Sequence, residues 1–137
     1  MAVACLRDGL LPLVQKGTRF HNRLAYHDFE GKAQDLDERQ RLVRDLGDKS
    51  AMILRNHGLL TVASNIPDAF QAMYFFEAAC TIQVRAQSGG GELIPIPQKI
   101  IDGAKAQMKG VTGNLGGKLP WPGLLRRLDR QNPGYNT

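Results

Sequence analysis

Three histidines, His21, His27 and His57, are the side chains of this 137-residue sequence best suited to bind a metal or carry a proton. They share no His-x-His or His-x-x-x-His spacing, so spacing alone builds no metal site. His57 has the strongest position. It lies in the turn Arg55-Asn56-His57-Gly58 between two short apolar runs, Met52–Leu54 and Leu59–Val62. Such runs suit buried strands. Gly58 lets the backbone bend tightly, and a strand end holds a side chain in one geometry. His27, beside Asp28, could be an oriented base, or a strand residue satisfied by a main-chain carbonyl. His21 lies in a polar stretch and reads as a surface residue. Glu77 falls on the apolar stripe of a long helical pattern, where an unpaired carboxylate is costly. It is either turned to the stripe edge and solvated, or it accepts hydrogen bonds from the Arg55–Gly58 turn and fixes it. No Ser/His/Asp or Cys/His arrangement is legible. Gly113-Asn-Leu-Gly116-Gly117-Lys118 resembles a phosphate loop in composition only and follows no strand.

Elements must hold these residues. Ala2–Leu6 is an apolar segment without a helix-start signal, and a helix that begins bare usually continues something. Leu10–Val14, with Pro12 inside, reads as an edge or irregular strand. Leu24–Phe29 reads as a strand with Ala25, His27 and Phe29 on one face. Asp35 is placed to cap a helix, with Glu38 as reciprocal partner, Leu42, Val43 and Leu46 as the apolar side and Gly47 as the stop. Asn65–Gln87 is the longest element, with an Asn65/Asp68 capping pattern, Pro67 in the first turn and a stripe through Phe70, Met73, Cys80 and Val84. Gln98–Lys109 is a helical segment interrupted by Gly103. Residues 1–109 form one domain. Residues 110–137 are a glycine-rich connector and a C-terminal docking helix around Trp121, Leu125 and Leu128, seated on its own chain or a neighbouring subunit.

The composition excludes several classes. A hydrophobic share of 42% supports one globular core. The net charge is +5, but the arginines are interleaved with acids on separate helices and no aromatic-plus-basic platform accompanies them. No nucleic-acid partner is expected. No apolar run is long enough to span a membrane, and Met1–Arg7 lacks the apolar core of a signal peptide. Cys5 and Cys80 lie far apart in apolar surroundings and read as buried free thiols in a reducing cytoplasm.

Four stretches taken in order carry a resemblance: Asp8-Gly-Leu-Leu-Pro-Leu13, Arg23-Leu-Ala-Tyr-His-Asp-Phe-Glu-Gly31, Leu54-Arg-Asn-His-Gly-Leu-Leu-Thr-Val62 and Glu77-Ala-Ala-Cys-x-x-Gln83. Together they resemble the class II aldolase/adducin family. The Tyr-His-Asp-Phe-Glu-Gly run and the tail Trp121-Pro-Gly-Leu-Leu-Arg-Arg-Leu-Asp-Arg130 are most similar to its adducin-like branch. The resemblance implies an α/β/α layered fold around a mainly antiparallel sheet, a homo-oligomer, and a divalent metal, usually zinc, held by three histidines. Two of these come from a His-x-His motif, and the third, in a His-Gly turn, maps onto His57. Such a metal stabilises the enediolate formed in aldol cleavage or epimerisation of sugar phosphates. His27 and Glu77 are then the candidates for supporting the His57 turn.

On the same resemblance, the His-x-His pair, the phosphate loops and the catalytic glutamate lie upstream of the segment matching Ala2–Leu6. The expectation is therefore an N-terminally truncated, C-terminal part of a family domain, impaired in catalysis and without metal if only His57 is present. The alternatives are a non-catalytic oligomerisation or interaction module, as adducin implies, and a gene remnant.

Overall fold

The computed structural model of the chain describes residues 1–31, 37–112 and 115–135. After a 3-10 turn at Ala2–Cys5, the chain forms helix α1 (Gln15–Thr18), strand β1 (Leu24–His27), helix α2 (Glu38–Leu46), strands β2 (Ala51–Leu54) and β3 (Gly58–Thr61), and helix α3 (Ile66–Ser88). Helix α4 (Gln98–Thr112), a 3-10 turn at Gly116–Lys118 and helix α5 (Trp121–Gln131) follow. The class is α/β, as expected.

The sheet has the order β1-β2-β3. β1 runs parallel to β2, with His27 opposite Leu54, and β2 pairs with β3 as an antiparallel hairpin, with Leu54 opposite Gly58. In this portion, one pairing is thus parallel and one antiparallel. Strand alternation divides the layers. Ala51 and Ile53 face a core that includes Val3, Ala4, Phe20, Phe76 and Cys80, with Leu24 and Tyr26 packed against it. Phe20 stacks on Phe76 at 4.5 Å between ring centroids. Ala25, His27 and Met52 are buried on the other side of the sheet, where α2 packs on β1. The result is helix, sheet, helix.

Local signals account for most element ends. Asn65 caps α3 by accepting from the Asp68 N–H at 2.9 Å, and Gly47 stops α2 with φ +53° while its N–H reaches the Val43 carbonyl. The proposed Asp35 cap lies outside the described residues; α2 begins after Asp37.

Several expectations are corrected. Leu10–Val14 forms no strand, because the Leu11 N–H bonds the Gln83 side chain instead of a ladder. Val43 is 72% exposed, since α2 turns Glu38, Leu42 and Asp45 toward the sheet instead. α4 continues through Gly103. Cys5 is exposed; only Cys80 is a buried thiol. The buried stripe of α3 is Phe76, Ala79, Cys80 and Gln83, which leaves Glu77 outside it. The described part of the expected connector is docked: the Gly117 N–H donates to Asp68 at 2.7 Å. The C-terminal helix seats on α3 of its own chain, with Trp121 edge-on to Phe70 at 5.6 Å. No helix among the described residues is long and apolar enough to cross a membrane.

Candidate functional site at one end of the sheet

His27 closes β1 and His57 stands in the turn between β2 and β3, so the register brings both to the same end of the sheet. The His57 imidazole is exposed. Its turn is held by backbone. The His57 N–H bonds the Leu54 carbonyl at 3.0 Å, and Asn56 adopts φ +57°, a left-handed conformation that asparagine tolerates. The Asn56 N–H donates to the Ala4 carbonyl at 2.9 Å. Arg55 completes the clamp. Its guanidinium donates to the Leu6 and Arg7 carbonyls, each at 3.2 Å, and lies over the Tyr26 ring, 4.8 Å from its centre. The N-terminal segment therefore runs directly across the His57 turn.

His27 meets this turn through its backbone, and Glu77 lies apart from it. The Arg55 N–H donates to the His27 carbonyl at 2.9 Å, so His27 holds the turn through its main chain. Glu77 is exposed and accepts from the Thr81 hydroxyl at 2.6 Å, one helical turn along α3. Among the described residues it makes no bond to the Arg55–Gly58 turn, and the solvated reading of this residue stands. His21 lies 3.3 Å from Asp102 of α4, at the surface.

The His27 side chain has a setting the sequence did not reveal. It is 4% exposed. Its orienting group is Asp45, not its neighbour Asp28, whose carboxylate turns outward to Arg55. Nδ1 lies 2.8 Å from Asp45 Oδ2. This bond, and after it the one from Arg44, hold the Asp45 carboxyl below the usual carboxylate range. Asp45 is then an acceptor, and the ring must place a proton on Nδ1. Nε2 faces Glu38 Oε1 at 3.8 Å and Glu30 Oε1 at 3.9 Å. Glu38 and Asp45 are seven residues apart on α2, hence on one helix face, and they flank the two ring nitrogens. That spacing was the available signal.

A divalent metal in the family's manner needs three imidazoles. Among the described residues, no other histidine, cysteine or carboxylate gathers with His57 into a group able to hold an ion. One imidazole does not fit that requirement. A cavity of about 420 Å³ lies at the opposite end of the sheet, walled by Arg19, Arg23, Ser50 and Asp68, and is not part of this site.

The "Class II Aldolase and Adducin N-terminal domain" family model matches residues 1–84. A provisionally named aldolase class 2 protein of Pseudomonas aeruginosa is 50% identical over 98% of this chain and 53% of its own length. Alpha-adducin of Rattus norvegicus is 33% identical over 99% of this chain and 20% of its own. Among solved structures, an aldolase II superfamily protein from Pseudomonas syringae superposes with a TM-score of 0.86 at 47% identity, over 96% of this chain and 53% of that one. L-fuculose 1-phosphate aldolase from Glaciozyma antarctica gives 0.65 at 26% identity, over 77% of this chain and 39% of that one. The chain spans about half the length of the bacterial curated relatives it matches. With the family model matched over residues 1–84 and the fold shared with an aldolase II superfamily protein, the chain belongs to the class II aldolase and adducin family.

Proposed function

We propose that this chain is the His57-bearing portion of a class II aldolase-type site, whose other metal ligands come from outside residues 1–137. The observation that carries this reading is the Asn56 N–H bond to the Ala4 carbonyl. In the family, the His-x-His pair precedes the segment matching Ala2–Leu6, and here that segment crosses the His57 turn. Zinc is the expected ion, and a sugar phosphate the expected substrate class. The similarity to L-fuculose 1-phosphate aldolase supports the substrate class. Of the three histidines, this reading assigns His57 alone to that metal. The two free thiols fit a cytoplasmic setting.

The test is a chimera in which the N-terminal half of the Pseudomonas aeruginosa relative precedes this chain. Mass spectrometry of the purified protein should find zinc of which one equivalent is lost in His57→Ala, together with cleavage of L-fuculose 1-phosphate or a related sugar phosphate. Zinc content unchanged by His57→Ala would sink the reading.

A second reading, a non-catalytic homo-oligomer, is favoured by a specific surface. Ile66, Phe70 and Tyr74 of α3 are 72%, 48% and 60% exposed at four-residue spacing, an apolar stripe on one helix face. It is supported if sedimentation shows an oligomer that Tyr74→Glu dissociates and His57→Ala does not.

A further inference from the structure

We propose that His27, Glu30 and Glu38 form a site for a divalent first-row transition-metal ion, separate from the family's His57 position. Three observations carry it. First, Nε2 of His27 is the single buried side-chain nitrogen or oxygen among the described residues with no hydrogen-bond partner. The residue is 4% exposed, and Nε2 is aimed at the two glutamates. Buried polar groups are ordinarily satisfied, so an orphaned one marks an unfilled role.

Second, the Asp45 bond fixes the tautomer. With Nδ1 donating to Asp45, Nε2 is left facing two carboxylate oxygens. A lone pair there would repel them unless a cation, a metal ion or a proton, stands between. A carboxylate behind the distal ring nitrogen is also the usual support of a metal-binding histidine.

Third, the separations suit an ion better than a direct bond. Nδ1 and Asp45 have closed to 2.8 Å, as a charge-assisted hydrogen bond does. Glu30 and Glu38 stand off at 3.9 and 3.8 Å. Ligand atoms about 2.0–2.2 Å from a shared ion lie roughly 3–4 Å apart. The three donor atoms lie within 4.8 Å of one another. Glu30 Oε1, which faces His27, also accepts from Arg41 Nε at 3.0 Å, as a metal-ligating carboxylate ordinarily accepts a supporting hydrogen bond.

One imidazole and two carboxylates form a borderline-hard set, matching zinc, manganese or iron(II) better than calcium, which prefers oxygen alone. Two carboxylates balance the ion's charge. The ion would tie α2 to the end of β1, whose His27 carbonyl holds Arg55 and, through it, the His57 turn.

The probe is zinc chloride added to the full chain after chelator treatment, followed by calorimetry and thermal unfolding. One equivalent should bind and raise the unfolding midpoint. Glu38→Gln should weaken binding by at least about tenfold, while His57→Ala should leave it unchanged. Glu30→Gln is the second variant if Glu38→Gln loses its circular dichroism. Cobalt(II) on the unmodified chain gives an independent readout, a visible absorption band of mixed nitrogen–oxygen ligation. No binding by the unmodified chain overturns the proposal and leaves a proton on Nε2 between the carboxylates. Zinc lost in His57→Ala and retained in both glutamate variants overturns it as well, and assigns the ion to the family position.

Discussion

Gln83, deep in α3, donates from Nε2 to the Gly9 carbonyl at 2.8 Å across 74 positions of sequence. Its Oε1 accepts from the Leu11 N–H at 2.7 Å. One amide thus satisfies two main-chain groups of a loop that has no ladder of its own. Gln83 is 1% exposed, so water does not replace it. Gln83→Ala should leave both groups without a partner and cost about 2–4 kcal/mol of unfolding free energy. Urea denaturation measures this. A loss below about 1 kcal/mol would mean that the loop finds other partners.

The two thiols differ sharply in setting. Cys5 is exposed; Cys80 is 5% exposed, and burial pushes its thiol up to about 11. The thiolate is the reactive species, so at pH 8 Cys80 is both shielded and protonated. A disulfide reagent should titrate one thiol in the native chain and two in denaturant. Two fast equivalents under native conditions would contradict the packing of α3 against the sheet.

What was legible in the sequence is what is set locally. The Asn65 cap, Pro67 in the first turn and the hairpin around Gly58 depend on neighbours within a few positions, and each was found within a residue or two. The misplaced features depend on contacts that spacing does not encode. The α3 stripe sits one position off because Phe76 stacks on Phe20, and this rotation moves Glu77 to solvent. The strand expected at Leu10–Val14 fails because a side chain 72 positions away takes the Leu11 N–H. The His27 setting was half legible. Its burial follows from strand alternation, but its partner Asp45 is 18 residues on, beyond any local rule. The His57 turn was read from the strand pair and the glycine, whereas its clamp to Ala4 required the fold.

The C-terminal part is fastened at one glycine. A Cβ on Gly117 would overlap the Pro67 carbonyl and lie 2.7 Å from the Asp68 nitrogen, and backbone at a helix start cannot yield as a side chain can. Gly117→Ala should cost about 1–3 kcal/mol by overpacking. The loss should concentrate in α5. Trp121, the chain's single tryptophan, packs on Phe70 and should shift its emission toward that of a solvated indole. Unchanged emission with unchanged stability would show that the 3-10 turn docks elsewhere.

The same joint should respond to acid. The Gly117 N–H, and after it the Asn65 side chain, hold the Asp68 carboxyl below its ordinary value. A depressed folded-state value means that folding favours the charged form. Its contribution is complete above the unfolded carboxylate range, near pH 4, and is lost as pH falls through the lower folded value. The group is half-buried and still reached by solvent, so the effect is modest and salt-screened. Trp121 emission should hold steady from pH 6 to about 4 and then report release of α5 as Asp68 protonates. In Asp68→Asn the joint should already be weaker at pH 6, and this component of the acid response should be absent. If the variant and the unmodified chain superimpose down to acid, another carboxylate governs the transition, and the Asp68–Gly117 bond contributes nothing to the docking of α5.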